Sequence, residues 1–179
     1  MRRGKTFFIV SVGMFSALAF LLQYIGSLMG LKVAGFLEIE ISDLPAIIAS
    51  LAIGPVAGVC VEGIKNLLHC TISSTGFVGE LANFVVNGTF VLVCGMVYKM
   101  NKTKKGAVIS LISATVIMSV ASIFTNLFIM LPLYMGSAPF EAKLNLTLYT
   151  IAPFNFVRGL SLSVITMVVY KKISNFIKR

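Results

Sequence analysis

Residues 44–70, LPAIIASLAIGPVAGVCVEGIKNLLHC, decide how many helices this chain forms. The run is long and apolar enough for a single helix, but Gly54 and Pro55 interrupt it near its middle. Glycine commonly follows the end of one helix, and proline favours the first turn of the next. The stretch therefore predicts a short helix at about 43–53, followed after the break by a second helix.

The composition of the whole chain places these helices in a membrane. Of the 179 residues, 58% are hydrophobic and only 12% are charged, whereas soluble domains carry about 25% charged residues. Further apolar stretches cover about 6–30, 77–98, 106–133 and 146–170. Because these stretches and their short connections fill nearly the whole length, no soluble catalytic domain is expected.

Basic residues fix the predicted topology. They cluster near both ends of the chain and in the loop 99–105, as Arg2, Arg3, Lys5, Lys99, Lys102, Lys104, Lys105, Lys171, Lys172, Lys178 and Arg179. The other connections carry the acids Glu38, Glu40, Asp43 and Glu141. The positive-inside rule then puts both termini and loop 99–105 in the cytoplasm. An even number of spans must separate the N-terminus from that loop, so 44–70 must form two spans.

The predicted fold is an all-α integral membrane protein, with residues 1–179 in one compact bundle of six transmembrane helices. The helix at 43–53 is short for a hydrocarbon core of about 30 Å, so neighbouring helices must shield it or the bilayer must thin locally. Loop 31–42, LKVAGFLEIEIS, alternates apolar and acidic residues over its second half. This alternation predicts a short β-hairpin or a lid over a cavity mouth.

Polar residues within the apolar stretches concentrate in the outward-facing halves of the predicted helices. Such side chains are costly in a membrane and generally face a cavity or a partner group. Apart from Asn87, which lies deeper, they share one depth. Most follow helical spacing, as Asp43, Glu62, Lys65, Asn66, His69, Glu80, Asn83, Asn87, Asn126, Asn155 and Arg158. Because the inner halves carry almost no such groups, the pattern predicts a polar cavity that is open outside and sealed below. A channel would need a polar lining along its whole length.

Some of these side chains have an alternative, structural interpretation. Asn66, Asn83 and Asn87 suit hydrogen bonds between helices equally well. Glu62 and Lys65 are spaced i,i+3, which favours an intrahelical ion pair over a binding site. A functional role is favoured for Asn126, Asn155 and Arg158. One cation with two amides is poorly suited to holding helices together but well suited to binding a polar ligand.

Three segments together resemble a known family. The run IEISDLPAIIASLAIGPVAGVCVEGIKNLLHC (39–70), with SIFTN (122–126) and PFNFVRG (153–159), is similar to the riboflavin-specific substrate-binding subunits, or S components, of energy-coupling-factor (ECF) vitamin transporters. The similarity runs over essentially the whole chain. It implies a non-enzymatic subunit of the bacterial plasma membrane that captures riboflavin at the outer face. It also implies two kinds of partner, a transmembrane coupling protein and two cytosolic ATPases.

The resemblance also implies a flavin site. In the riboflavin branch of the family, asparagines and a lysine on the last two helices hold the pyrimidine edge of the flavin ring. Carried over, these positions are Asn126, Asn155 and Arg158, and the aspartate at the start of the second helix is Asp43. Arg158 departs from the expected lysine, and its guanidinium is larger and planar. A different flavin such as FMN, or another vitamin such as thiamin, therefore stays an alternative ligand.

Further residues are assigned more loosely. The ribityl hydroxyls of riboflavin are expected to contact Glu80, Asn83 or Lys65. Gly13 and Ala17 occupy the place of a pair of alanines through which S components dock on the coupling protein. Their alternative role is ordinary close packing of helices within the bundle.

The chemistry of the ring edge agrees with the assigned side chains. An isoalloxazine edge presents two carbonyls and one N–H, and asparagine amides both donate and accept hydrogen bonds. A ligand that lacks these groups leaves buried amides unpaired, and this penalty gives selectivity.

Several other functions are disfavoured. The chain has no glycine-rich loop followed by Lys and Ser/Thr, so any energy from ATP must come from partners. Its three cysteines and one histidine have no metal-site spacing, and no cofactor is expected besides the transported vitamin. The net charge of +9 arises from the basic clusters and not from a nucleic-acid surface. The apolar inner halves disfavour a passive facilitator, and the lack of paired carboxylates or a serine–histidine signature disfavours an intramembrane enzyme.

Overall fold

The computed structural model of this chain describes residues 4–29, 32–33, 37–38, 41–73 and 76–177. A few of the charged residues used for the topology prediction lie outside the described residues, namely Arg2, Arg3, Glu40, Lys178 and Arg179.

Six helices follow one another in the described part of the chain. The first four are Lys5–Met29, Leu44–Ala52, Pro55–His69 and Gly76–Met100. The fifth consists of Lys104–Thr125, a π-helical turn Asn126–Met130 and a last turn Leu131–Tyr134. The sixth consists of Phe140–Leu146, a π-helical turn Thr147–Ile151 and the long segment Ala152–Ile177. Between the first and second helices, the strands Lys32–Val33 and Leu37–Glu38 pair antiparallel, within the loop where the sequence predicts a hairpin.

The predicted break at Gly54–Pro55 is confirmed. The second helix ends at Ala52, and Pro55 is the first residue of the third helix. Gly54 between them has φ 143° and ψ 165°, a backbone conformation that side chains with a Cβ rarely adopt. The turn therefore requires glycine, and the following proline starts the next helix with a suitable φ.

Length separates the six helices into two classes. Within the residues that the structure describes, four are long and apolar enough to cross a membrane, with candidate spans Lys5–Leu28, Phe77–Met100, Lys104–Tyr134 and Phe140–Lys172. The second and third helices have 9 and 15 residues, which corresponds to about 14 Å and about 22 Å. The six-helix bundle is thus confirmed, whereas six complete membrane crossings remain a prediction.

Protein surrounds the short second helix, as the sequence requires. This helix contacts the first, third, fourth and sixth helices, and most of its residues, among them Ala46, Ile47 and Ala49, are fully buried. Its Ser50 hydroxyl donates a 2.7 Å hydrogen bond to the carbonyl oxygen of Val91 on the fourth helix. The second helix is too short to span the membrane alone, and neighbouring helices surround it in place of lipid.

Gly58→Ala should destabilise the bundle, because the second, third and fourth helices approach closely at this glycine. A Cβ on Gly58 would lie 2.3 Å from Val91 Cγ1 and 2.6 Å from Ser50 Cβ. Overpacking of this kind costs about 1–3 kcal/mol, which should appear as a lower melting temperature of the detergent-solubilised protein. The matched control is Gly13→Ala, where a Cβ would meet no atom within 4 Å. Equal melting temperatures for Gly58→Ala and the unchanged protein would contradict the close approach.

The end of the bundle that carries the lysine-rich loop, here called the basic end, is tightly packed. Tyr98 and Tyr170 are each 1% exposed, their rings meet edge to face, and their hydroxyls are 3.0 Å apart. Phe90, Leu111 and Met118 fill the adjoining core. This packing agrees with the predicted seal below the cavity.

Candidate functional site

A cavity of about 630 Å³ occupies the end of the bundle opposite the basic end. Small-molecule sites in proteins generally measure about 300–1,000 Å³, so this cavity suits a small ligand. Its lining comes from five of the six helices and from the residues next to their ends, as Gln23, Tyr24, Ser27, Leu28, His69, Ile72, Ser73, Gly79, Glu80, Ala82, Asn83, Val86, Asn87, Asn126, Met130, Leu131, Tyr134, Met135, Leu146, Ile151, Phe154, Asn155 and Arg158.

Two asparagines on the fifth and sixth helices face this cavity, as predicted. Asn126 Nδ2 donates to the Ser122 carbonyl at 2.8 Å, and Asn155 Nδ2 donates to the Ile151 carbonyl at 3.0 Å. Each bond uses one of the two amide N–H groups. A second N–H and the side-chain carbonyl oxygen of each amide remain available for a ligand.

Both asparagines lie beside π-helical turns. Asn126 begins one such turn, and Asn155 lies four residues after the end of the other, Thr147–Ile151. Turns of this kind are uncommon and frequently occur at functional sites. The two helices thus change their backbone geometry at the level of the cavity.

Arg158 also lines the cavity, one helical turn after Asn155. Its Nη2 atom donates to Asp43 Oδ2 at 2.7 Å, and the side chains are 11% and 1% exposed, respectively. An arginine–carboxylate pair is a strong, directional contact when it is shielded from water. Asp43 therefore fixes the guanidinium against the cavity wall.

Behind this wall, buried charges form a connected cluster. Asp43 Oδ1 accepts hydrogen bonds from Lys65 Nζ at 2.5 Å and from Asn87 Nδ2 at 3.2 Å. Lys65 Nζ also lies 2.8 Å from Glu62 Oε2, which confirms the predicted intrahelical ion pair. The cluster, here called the charge cluster, consists of Asp43, Glu62, Lys65 and Arg158. Its two cations and two carboxylates are paired, which offsets the cost of burying them.

Two of the predicted ligand-contacting residues do not line the cavity. Asp43 and Lys65 are 1% and 0% exposed and lie behind the wall, within the charge cluster. The reason is electrostatic. At the low dielectric inside the bundle, the opposite charges of lysine and aspartate attract each other strongly, so the two side chains pair with each other and not with a ligand. Of the residues predicted to bind the ligand, the structure brings together Asn126, Asn155, Arg158, Glu80 and Asn83 around one cavity.

A second polar wall comes from the first, third and fourth helices. His69 Nδ1 lies 2.9 Å from Glu80 Oε1, and His69 Nε2 lies 3.2 Å from Ser27 Oγ. All three residues line the cavity. Next to them, Asn87 Nδ2 donates a short hydrogen bond to Asn83 Oδ1. The sequence places Glu62, Asn66 and His69 among the polar groups of the cavity. All three are buried, but of the three only His69 lines the cavity.

Some lining residues were missed from the sequence. Gln23 is 1% exposed, and it lies four residues before Ser27 on the first helix. This i,i+4 pair of polar residues in an apolar run could have predicted that this face of the first helix lines the cavity. Tyr24, Phe154 and Met130 gave no such signal, because apolar and aromatic residues occur throughout every helix.

The remaining predicted residues lie outside the cavity. Gly13 and Ala17 are exposed on the surface of the first helix, and a Cβ on Gly13 would meet nothing within 4 Å. They therefore do not pack against another helix within the described part of the chain. Among the same residues, there is no cluster of three or more His, Cys, Asp or Glu side chains that could hold a metal ion.

Comparisons with known proteins agree on one family. A family model described as "ECF transporter, substrate-specific component" matches residues 7–170. The riboflavin transporter RibU of Staphylococcus aureus is 33% identical over 175 residues, covering 96% of this chain and 92% of that protein. The riboflavin transporter FmnP of Bacillus subtilis is 34% identical over 180 residues, covering 96% and 94%.

A solved structure is similar in fold over nearly the whole length. It is described as "Structure and mechanism of the S component of a bacterial ECF transporter", and its TM-score to this chain is 0.83. The two sequences are 31% identical, and the match covers 98% of this chain and 100% of the other.

Proposed function

This chain belongs to the family of substrate-specific components of ECF transporters, and from this premise we propose that it binds riboflavin in the membrane for uptake. It is a membrane protein, and its relatives are transporter components and not enzymes. Two findings carry the assignment of the ligand. Two relatives named riboflavin transporters match almost the whole chain, and the amides and guanidinium that suit a flavin edge line one cavity here.

The ring edge of the ligand is assigned to the fifth and sixth helices. Asn126 and Asn155 would each offer one N–H and one carbonyl oxygen, which match the mixed donors and acceptors of the pyrimidine edge. Arg158 would donate to a ring carbonyl while Asp43 holds it in place. The apolar side chains of Met130 and Phe154 are available to contact the flat faces of the ring.

The ribityl chain is assigned to the other polar wall. Glu80 and Asn83 line the cavity on the fourth helix and would bind its hydroxyls. Asp43 and Lys65 would act indirectly, because Lys65 helps to fix Asp43 and Asp43 fixes Arg158. Riboflavin is here a transported ligand, and no cofactor is proposed.

The membrane orientation follows from the charged ends. We place the protein in the bacterial plasma membrane as a single multi-pass domain, with both termini in the cytoplasm. In support, Lys99 at the end of the fourth helix, Lys102 in the loop and Lys105 at the start of the fifth helix are exposed. Lys171 follows Tyr170, which contacts Tyr98 at the same end of the bundle. The cavity then opens outward. The paired strands before the second helix would cover it as a lid.

Energy for transport is assigned to partners. These are a transmembrane coupling protein and two cytosolic ATPases, as expected for a substrate-specific component. The exposed pair Gly13 and Ala17 is the proposed docking surface on the first helix, since small residues let a second helix approach closely. No nucleic acid is expected as a partner.

Gly13→Trp or Ala17→Trp should spare riboflavin binding and abolish uptake. The added indole would project from the outer surface of the first helix and block the approach of a partner helix. Binding is measured by titration of the purified variant, and uptake is measured in cells that also contain the coupling protein and ATPases. Ile117→Trp is the matched control, because Ile117 is 45% exposed on the fifth helix. Loss of binding in the Gly13 or Ala17 variants would point to packing within the bundle instead.

A titration of the purified protein with riboflavin, FMN and thiamin tests the proposed function. We expect riboflavin to bind most tightly and flavin absorbance to copurify with the protein after growth with riboflavin. Tight thiamin binding without flavin binding would replace the ligand and keep the family. Uptake that persists without the partner ATPases would favour the alternative of a passive facilitator.

A further inference from the structure

The charges of this chain are distributed unevenly along the bundle. The six carboxylates of the sequence are Glu38, Glu40, Asp43, Glu62, Glu80 and Glu141, so segments 1–37, 44–61, 81–140 and 142–179 contain no acid. Lysines lie at or near the ends of four helices at the basic end, as Lys5, Lys99, Lys102, Lys104, Lys105, Lys171 and Lys172. These residues are here called the lysine cluster.

The lysine cluster lies nearly one membrane thickness away from the cavity. Lys99 follows Asn83 by 16 residues on the fourth helix, and Lys171 follows Asn155 by 16 residues on the sixth. At the rise of an α-helix, each separation is about 24 Å, and the hydrocarbon core of a bilayer measures about 30 Å. Since Asn83 and Asn155 line the cavity, the lysines lie at the level of the lipid headgroups on the opposite side of the membrane.

The described part of the chain does not balance the charge of the lysine cluster. All of its side chains are exposed. None of them forms an ion pair within the described ranges, where the ion pairs join Lys65, His69 and Arg158 to carboxylates near the cavity. The positive charge at the basic end is therefore available to an anion from outside the chain.

A tight turn concentrates part of this charge. The Gly106 N–H donates to Thr103 Oγ1 at 3.0 Å, which caps the start of the fifth helix. A Cβ on Gly106 would collide with the carbonyl oxygen of Asn101, so the turn is closely packed. Lys102 and Lys104 flank Thr103 and place two positive charges at this turn. Because like charges repel each other, the turn favours an anion that neutralises both.

Exposed apolar side chains border the lysine cluster on its membrane side. They belong to the fourth, fifth and sixth helices, as Met96, Met100, Val108, Ile109 and Val168. A phospholipid can contact these side chains with its acyl chains while its headgroup meets an ammonium group. The aliphatic part of a lysine side chain lets its ammonium group reach the headgroup level.

We propose that the lysine cluster binds anionic phospholipid headgroups in preference to zwitterionic ones. An anionic headgroup carries a net negative charge, whereas the cation of a zwitterionic headgroup offsets its phosphate. Lysines next to a membrane span attract anionic lipids, by about fivefold in affinity for each lysine. The cluster is spread over four helices at one depth, which suits the lipid layer around the bundle better than one docked protein. This contact does not depend on which ligand the cavity binds.

A single engineered tryptophan can report which lipids lie next to it, because the chain contains no tryptophan. Ile109→Trp and Ile129→Trp form a matched pair on the fifth helix, each five residues from an end of that helix, Lys104 or Tyr134. Ile109 is 54% exposed and Ile129 is 46% exposed. In vesicles, brominated phosphatidylglycerol or brominated phosphatidylcholine quenches the fluorescence of an adjacent tryptophan. The ratio of the two quenching constants gives the local preference for the anionic lipid.

We expect the Ile109→Trp protein to show a preference for phosphatidylglycerol of about fivefold, which should fall as added salt screens the charges. The Ile129→Trp protein should show no preference. Combined with Ile109→Trp, the pair Lys102→Gln and Lys105→Gln should remove most of the preference. The pair Lys102→Arg and Lys105→Arg keeps the charges and should retain it.

Equal preferences at the two tryptophans overturn the inference, as does a preference that survives the two glutamine substitutions. No preference at Ile109→Trp also overturns it and favours an acidic surface of a partner protein as the counterion of the lysine cluster. If the glutamine variant does not fold, the salt titration of the Ile109→Trp protein decides. A preference that falls with salt then supports the inference, and a preference that salt leaves unchanged overturns it.

Discussion

Asp43→Ala should lower both the melting temperature and the riboflavin affinity more than any other single change near the cavity. The Asp43 carboxylate is 1% exposed and accepts hydrogen bonds from Lys65 at 2.5 Å and from Arg158 at 2.7 Å. Its removal takes away the counterion that both buried cations share. Removing one partner of a buried ion pair costs about 3–5 kcal/mol. Affinity should fall as well, because the hydrogen bond that ties Arg158 to the start of the second helix is lost.

Thermal unfolding and riboflavin titration of the purified variant measure the two effects. Asp43→Asn should give an intermediate result, since the amide keeps the shape and one acceptor oxygen but loses the charge. Glu141→Ala removes an exposed carboxylate and should leave both quantities within about 0.5 kcal/mol of the unchanged protein. If Asp43→Ala behaved like Glu141→Ala, the charge cluster would have no part in stability or binding.

Asn155→Ala and Arg158→Ala should each weaken riboflavin binding without unfolding the bundle. Each change leaves a buried group of the bound flavin edge without its partner, which costs about 1–3 kcal/mol. At 1.4 kcal/mol per factor of ten, the dissociation constant should rise by roughly 5-fold to 150-fold. Fluorescence titration of the purified variants gives the affinity, and thermal unfolding reports whether the fold is retained.

Asn145→Ala is the matched control for the asparagine. Asn145 lies on the sixth helix but is exposed and outside the cavity lining, so its replacement should leave the affinity unchanged. Arg158→Lys keeps the positive charge and should lose less affinity than Arg158→Ala. Unchanged affinity in both Asn155→Ala and Arg158→Ala would show that the flavin edge is not bound at these residues.

Much of the fold was predictable because membrane helices obey strong local rules. Long apolar runs must form helices in lipid, where every backbone polar group has to be satisfied internally. The glycine–proline pair at 54–55 separates the second and third helices, and the predicted topology needs two helices in this stretch. The shortness of the second helix, however, showed only that neighbouring helices must shield it from lipid or that the bilayer must thin around it. The burial of Ala46 and Ala49 by four neighbouring helices is a property of the assembled bundle.

The site was predictable in part. An amide or a cation in an apolar helix is costly unless a partner group binds it. This cost marks Asn126, Asn155 and Arg158 in the sequence, and all three line the cavity. The sequence did not separate residues that face the cavity from those behind its wall. Asp43 and Lys65 were predicted at the depth of the cavity residues, but they pair with each other behind the wall and do not line the cavity.

By itself, the sequence determined that this protein is a helical membrane protein, where its second and third helices divide, and at which depth its polar groups lie. These features depend on composition, on local backbone geometry and on spacing along one helix. The tertiary structure alone decided that Arg158 is held by Asp43, 115 positions away along the chain, and that Ser27, His69 and Glu80 join three helices in one wall. Such pairings depend on how helices pack, since spacing along one helix carries no information about which side chain of another helix will meet it.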